Sequence, residues 1–252
     1  MATFGTRLLP TSDRRIVLAC DYAGDAIPLP TRVIRDIRRL SEHICAIKLN
    51  YHLLLPLGTR QISRILDAAH ECGLQAIADI KLNDIGNTNR VASGILWDAG
   101  FDAVIANPIM GPGSLETLAR SAHGRGRGVI ALCHMSAPEA RASYEMRAYS
   151  TPRSKKPRHM HEIFLGWALD SGADGVIVGA TFPDIIRDCS RRIRKSGQNM
   201  FIMSPGVGAQ GADAAATMQA GSDYVIAGRS IILADDPVQA AVSLRKEIAG
   251  AA

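Results

Sequence analysis

No apolar run in this chain approaches the roughly 18 residues needed to span a bilayer, so no membrane-spanning helix is expected. The N-terminal segment holds Arg7, Arg14 and Arg15 but no apolar core followed by a small-residue cleavage site, so a secretory leader is not expected either. No long polar tract interrupts the sequence. Five cysteines (Cys20, Cys45, Cys72, Cys133, Cys189) form an odd, scattered set without C-x-x-C spacing. That pattern argues against a disulfide framework or a cysteine zinc site, and predicts reduced, mostly buried thiols in a cytoplasmic protein. Charge excess is small as well. A net charge of +5 over 252 residues suits an anionic substrate and does not point to nucleic acid.

What is present is an alternation. Short β-rich runs occur at 15–21, 44–50, 75–81, 103–107, 128–134, 175–180, 200–204 and 224–228. Segments with helical spacing separate most of them. In 60–72, Ile62, Ile65, Leu66 and Ala69 recur at i, i+3, i+4 and i+7; 163–171 and 212–220 read the same way. Gly73, Gly100, Gly172 and Gly221 stand where helices should end in a left-handed residue. Eight strands alternating with helices predict an α/β protein with a parallel sheet, and eight is the number that closes a (β/α)8 TIM barrel. A doubly wound open sheet is the alternative. The composition, 47% hydrophobic and 21% charged, fits one domain at 15–252 after a short extension at 1–14.

In such a barrel, chemistry sits where strands end. The third run closes on Asp79-Ile80-Lys81-Leu82-Asn83-Asp84. Alternate strand residues share a face, so Asp79 and Lys81 should emerge side by side, with Asp84 in the following loop. Unpaired buried charge is costly, and an Asp, Lys, Asp array is a way to hold an ammonium group ready to give up a proton. Other strand ends bring Asp21, Lys48, His134-Met135-Ser136, Ser204 to Gly211, and Gly228-Arg229-Ser230 to the same rim. Any one of these alone is more often a solvated loop residue; their joint placement is the signal. Gly206-x-Gly208-x-x-Gly211 formally matches a dinucleotide fingerprint, but it lies late in the chain and no acidic residue ends the next strand. A phosphate cradle fits better: glycine backbone N–H groups, the positive end of a helix after Gly211, and a bidentate Arg229. A phosphorylated small substrate follows.

The motifs Leu18-Ala19-Cys20-Asp21, Ile47-Lys48-Leu49, Asp79-Ile80-Lys81-Leu82-Asn83-Asp84-Ile85, Thr88-Asn89, Met135-Ser136, Ser204-Pro205-Gly206-Val207-Gly208-Ala209-Gln210-Gly211 and Gly228-Arg229-Ser230 occur in order across most of the chain. Together they resemble the orotidine 5′-monophosphate decarboxylase family, in its short form. The resemblance implies cofactor-free, metal-free decarboxylation of orotidine 5′-monophosphate to UMP and CO₂ in pyrimidine biosynthesis. It implies that Lys81 protonates C6, that Asp79 lies beside the departing carboxylate, and that Lys48 and Asp84 complete the charged chain. Asp84 and Thr88 would reach the neighbouring active site of a homodimer. Asp21 and Lys48 would hold ribose hydroxyls, and Ser136 and Gln210 the pyrimidine. Arg229 would grip the phosphate with backbone groups near Gly208, and Pro205 and Gly228 would also contact the substrate.

Two rivals differ in kind. Sister barrels acting on 3-keto-gulonate 6-phosphate, or making hexulose phosphate, share Asp-x-Lys-x-x-Asp but bind magnesium with a Glu at the second strand's end. Here that position reads as Lys48, which repels a cation. A non-catalytic phosphate-binding barrel would not need Lys81 between carboxylates. The chain departs from the short form at 139–161, a long basic segment read as a solvated, partly disordered insertion, with a lid over the pyrimidine as the sharper reading. His159 and His161 form an H-x-H pair with no evident third ligand, so no metal site is expected. His134 reads as a packing residue, and Asn50 as a rim residue of unassigned role.

Overall fold

The computed structural model describes residues 14–22, 28–151 and 153–250. The extension read at 1–14 lies almost wholly outside the described residues. The strands are β1 (Ile16–Ala19), β2 (Ala46–Asn50), β3 (Gln75–Leu82), β4 (Ala103–Ala106), β5 (Gly128–His134), β6 (Arg147–Ala148), β7 (Arg158–His159), β8 (Gly175–Val178), β9 (Phe201–Pro205) and β10 (Tyr224–Ala227). All but β6 and β7 pair in parallel, in the cyclic order β1-β2-β3-β4-β5-β8-β9-β10, and the ring closes through β10 on β1. The open-sheet alternative is thereby excluded.

The helices are α1 (Leu29–Leu40), α2 (Tyr51–Leu54), α3 (Thr59–Glu71), α4 (Gly86–Ala99), α5 (Pro112–Gly124), α6 (Ala140–Tyr144), α7 (Met160–Ser171), α8 (Pro183–Ser196), α9 (Ala214–Gln219), α10 (Arg229–Ile232) and α11 (Pro237–Ala249). Strands such as Ile-Val-Leu-Ala in β1 and Tyr-Val-Ile-Ala in β10 are buried at every position. A parallel strand covered on both faces reads as a continuous apolar run rather than an alternation, which is what the sequence contains. Helices bury one stripe each: Val33, Ile37 and Leu40 on α1, and Ile65, Leu66 and Ala69 on α3. Gly100 ends α4 at φ 113°, and its N–H returns to Trp97 O.

A repeated device closes the bottom of the barrel. Asp102, Asp174 and Asp223 each stand just before a strand (β4, β8, β10). Each accepts the backbone N–H of a residue on or beside the adjoining strand: Ala76 at 2.9 Å, Val129 at 2.8 Å and Ile202 at 2.7 Å. Strand starts would otherwise leave these donors without partners. His70 and Arg127 hold Asp102, and His123 holds Asp174. These carboxylates lie at the N-terminal face, where barrel residues serve stability.

The 139–161 segment is built rather than loose. α6 buries Tyr144, and β6 pairs antiparallel with β7 in a short ribbon. Its end is stapled to α7, where Glu162 accepts the His159 N–H at 2.9 Å. The expectation of a solvated, partly disordered insertion therefore fails for its base, because Tyr144 and His161 supply buried anchors that a count of charges does not register.

Candidate active site

The end of β3 is irregular. Ala78 pairs with Val104 and Leu82 with Ala106, so four steps on β3 match two on β4. Within this bulge Lys81 has φ 47°, the only positive value at a non-glycine among the described residues. Such a conformation is held only where the surroundings over-determine it. One restraint is the Tyr51 hydroxyl, which donates to the Ile80 carbonyl at 2.8 Å. Asp79 and Lys81 do meet, as the alternation predicted, but through a bulge rather than a regular pleat.

Asp79 is the hub. Its Oδ1 accepts from Lys81 Nζ at 2.8 Å and its Oδ2 from Lys48 Nζ at 2.7 Å. Asp79 and Lys48 are buried, whereas the Lys81 side chain is 37% exposed. Burial pushes the Asp79 carboxyl up, but the two ammonium groups together outweigh it and hold it below the usual carboxylate range. Asp21 Oδ1 lies 3.9 Å from Lys48 Nζ and accepts from Asn50 Nδ2 at 2.6 Å. An Asp21–Lys48–Asp79–Lys81 chain thus crosses the ends of β1, β2 and β3.

These groups line a cavity of about 260 Å³ at the C-terminal mouth of the barrel. Its floor is apolar, with Ile105, Leu132, Ile177 and Ile226 from four strands. The rest of its wall carries Ser136, Pro205, Gln210, Gly228 and Arg229. Gly206, at φ 105°, permits the Gln210 placement: a Cβ there would stand 2.8 Å from Gln210 Oε1 and 3.1 Å from Ser136 Cβ. The Arg229 side chain is exposed and has no hydrogen-bond or ion-pair partner among the described residues.

Two expectations for the phosphate cradle change in detail. The Gly208 N–H donates to the Ala212 carbonyl at 3.1 Å, so the loop spends on itself the donor expected for phosphate, and Gly208 stands behind the cavity lining. The helix after Gly211 begins only at Ala214. Two donors of its first turn are already taken by carboxylates, Asp213 on Ala216 N and Glu247 on Ala214 N. Asp84 and Thr88 are exposed and outside this chain's cavity. Asn89 fixes the Asp84 backbone, taking its N–H at 3.0 Å.

His134 is buried and packs as expected, with ring centroids 4.3 Å from Phe182, 5.5 Å from Tyr144 and 5.8 Å from His161. Its Nδ1 lies 2.7 Å from the Met135 carbonyl, and its Nε2 lies 3.6 Å from Glu145. The insertion is thus docked against the residue that leads into Ser136. No group of three or more His, Cys, Asp or Glu able to hold a metal occurs among the described residues. Sequence reasoning missed Tyr51 and the work of Asn50, since both act on a neighbour's conformation; their position after Lys48 was the available signal.

The orotidine 5′-phosphate decarboxylase / HUMPS family model matches residues 14–244. Orotidine 5′-phosphate decarboxylase of Methanococcoides burtonii is 31% identical over 234 residues, covering 93% of this chain and 97% of that protein. The Methanosarcina acetivorans protein of the same name is 35% identical over 207 residues, covering 82% and 84%. The crystal structure of orotidine 5′-phosphate decarboxylase from Pyrococcus horikoshii OT3 superposes with a TM-score of 0.73 at 30% identity, covering 93% of this chain and 99% of that one. With barrel, charged mouth and near full-length kinship in agreement, the chain belongs to the orotidine 5′-phosphate decarboxylase / HUMPS family.

Proposed function

We propose that this protein decarboxylates orotidine 5′-monophosphate to UMP and CO₂ in pyrimidine biosynthesis, in the cytoplasm and without a cofactor. The observation that carries this reading is Asp79 bridging Lys48 and Lys81 at the barrel mouth. Family membership alone leaves a magnesium-using sister reaction open. Lys48 argues against that branch, because a buried ammonium at the second strand's end repels a divalent cation.

Loss of CO₂ from C6 leaves a carbanion with no adjacent carbonyl to delocalise it well. Stabilisation must then come from fixed charge, which lowers the barrier more than any other single effect in many enzymes. Lys81 is held toward the cavity by Asp79 and the bulge, and would deliver the proton to C6 as the bond breaks. Asp79, held ionised, would face the substrate carboxylate and favour its departure. The ring would lie on the apolar floor with Ser136 and Gln210 at its edge. Arg229, beyond β10, stands apart from Lys81 on β3, with β1 and β2 between them. Its unengaged guanidinium would take the phosphate, and Gln210 would link phosphate to pyrimidine. Binding energy gathered there can orient the reacting carbon at the other end.

We assign Asp84 and Thr88 to the neighbouring site of a homodimer. Both are exposed here, and next to them stand Ile85 (72% exposed), Val91 and Ile95 (58%), an apolar set on and just before α4. Burying such a set against its symmetry mate is a common basis for a two-fold dimer.

The test is conversion of orotidine 5′-monophosphate by the purified protein, followed by absorbance, with and without EDTA. Conversion to UMP at an EDTA-independent rate is expected. No conversion, or conversion abolished by EDTA and restored by magnesium, overturns the proposal.

A further inference from the structure

Asn50 ends β2 two residues beyond Lys48, and its two amide atoms have separate partners. Its Oδ1 accepts the His52 N–H at 2.9 Å and caps α2. That cap fixes the amide's orientation, so Nδ2 must point the other way. There it donates to Asp21 Oδ1 at 2.6 Å. Lys48 Nζ stands 3.9 Å from the same oxygen, too far for a hydrogen bond, and gives its short contact to Asp79. Asp21 Oδ2 lies toward Gly228, where an added Cβ would approach it to 3.2 Å. Both residues line the cavity.

We infer that Asn50 is a positioning residue that divides the charged chain in two. By holding Asp21 Oδ1 it leaves Oδ2 as a directed acceptor for a sugar hydroxyl, and it leaves Lys48 to Asp79. Selectivity for a ribonucleotide over a deoxyribonucleotide then rests on Asn50 as well as on Asp21. Without it Asp21 turns toward Lys48, the sugar loses its acceptor, and the Asp79 hub loses part of one ammonium. The inference rests on the nucleotide reading of the site above.

Asn50→Ser and Asn50→Asp separate this role from capping, because both residues cap helices well. Serine is too short to reach Asp21, and aspartate sets a carboxylate against it. The measurement is calorimetric affinity for UMP and for its 2′-deoxy and 3′-deoxy analogues, with melting temperature as the control for folding. Wild type should prefer UMP over at least one deoxy analogue. Both variants should melt near wild type and lose that preference by on the order of tenfold, the worth of one hydrogen bond to a charged group. In turnover the loss should fall mainly on KM for Asn50→Ser. For Asn50→Asp it should fall on KM and kcat together. An undiminished preference in both variants overturns the inference while leaving the decarboxylase reading intact. A wild type indifferent to both hydroxyls overturns it through Asp21. A wild type that binds no UMP at all defeats the nucleotide reading and this inference with it.

Discussion

Lys81 Nζ lies 2.8 Å from Oδ1 of Asp79, on the oxygen that Lys48 leaves free. One carboxylate therefore sets the position of two ammonium groups, and one of these stands at a strained residue.

Asp79→Asn removes the hub and leaves both ammonium groups facing a neutral amide. Turnover should fall by at least about 10²–10³, the usual loss when a fixed electrostatic group is removed. Breaking a buried pair should also cost about 3–5 kcal/mol of stability at neutral pH. The wild-type carboxyl sits below its ordinary value of 3.8 in the folded state, so the unfolded chain takes up the proton first as pH falls. Its contribution is complete well above pH 4 and is lost as pH drops through the folded value. Melting temperatures between pH 7 and 3 should show the wild-type advantage over Asp79→Asn narrowing at the acid end. A gap constant across that range contradicts this.

His134 and His161 both titrate below their ordinary value of 6.5, chiefly because burial disfavours the charged ring. Glu145 pulls both upward, while His161 opposes the charging of His134 and His159 that of His161; burial prevails. For a depressed histidine, stability is present above 6.5 and lost as pH falls below it. The 140–161 segment should therefore loosen on acidification. Hydrogen exchange of that segment should quicken from pH 7 to pH 5 in wild type. His134→Asn, whose amide can replace the bond to the Met135 carbonyl, should flatten the dependence, and adding His161→Asn should flatten it further. Identical pH profiles in all three proteins contradict the assignment.

The proposed sharing of active sites across a dimer makes a distinctive mixing prediction. Lys81→Ala and Asp84→Ala should each be nearly inactive alone. Refolded together, half the two-fold dimers would be hybrids with one intact site, so roughly a quarter of the wild-type activity should return. Absence of any recovery, with dimers present by sedimentation, would place Asp84 outside the neighbouring site.

Much of this was legible because the barrel leaves a local record. Fully buried strands spell apolar runs such as Ala-Val-Ile-Ala, and Gly73, Gly100, Gly172 and Gly221 all take the positive φ predicted for helix ends. The site was legible for a related reason: strand ends converge wherever eight parallel strands close, so Asp21, Lys48, Asp79, Lys81, Ser136 and Arg229 could be placed on one rim before any distance was known. What escaped were relationships that depend on register and rotamer. The bulge at Lys81 arises from pairing with β4, a partner some twenty residues away, and no local pattern announces it. Asn50 looked like another rim residue because its role lies in which amide atom faces Asp21. The basic insertion looked unstructured because its anchors, Tyr144 and His161, are few among many exposed charges. Asp102, Asp174 and Asp223 carry no local signal of their role, because each satisfies a donor on the adjoining strand.

In the proposed reaction Lys81 supplies both the charge and the proton at C6, and everything else in the site serves that step. The most direct measurement is turnover of orotidine 5′-monophosphate by Lys81→Ala beside its calorimetric affinity for UMP. Proton transfer and fixed-charge stabilisation each contribute about two or more powers of ten. The expected result is a loss of at least about 10³ in kcat with the barrel folded and UMP still bound. Turnover within a few-fold of wild type would contradict the role given to Lys81.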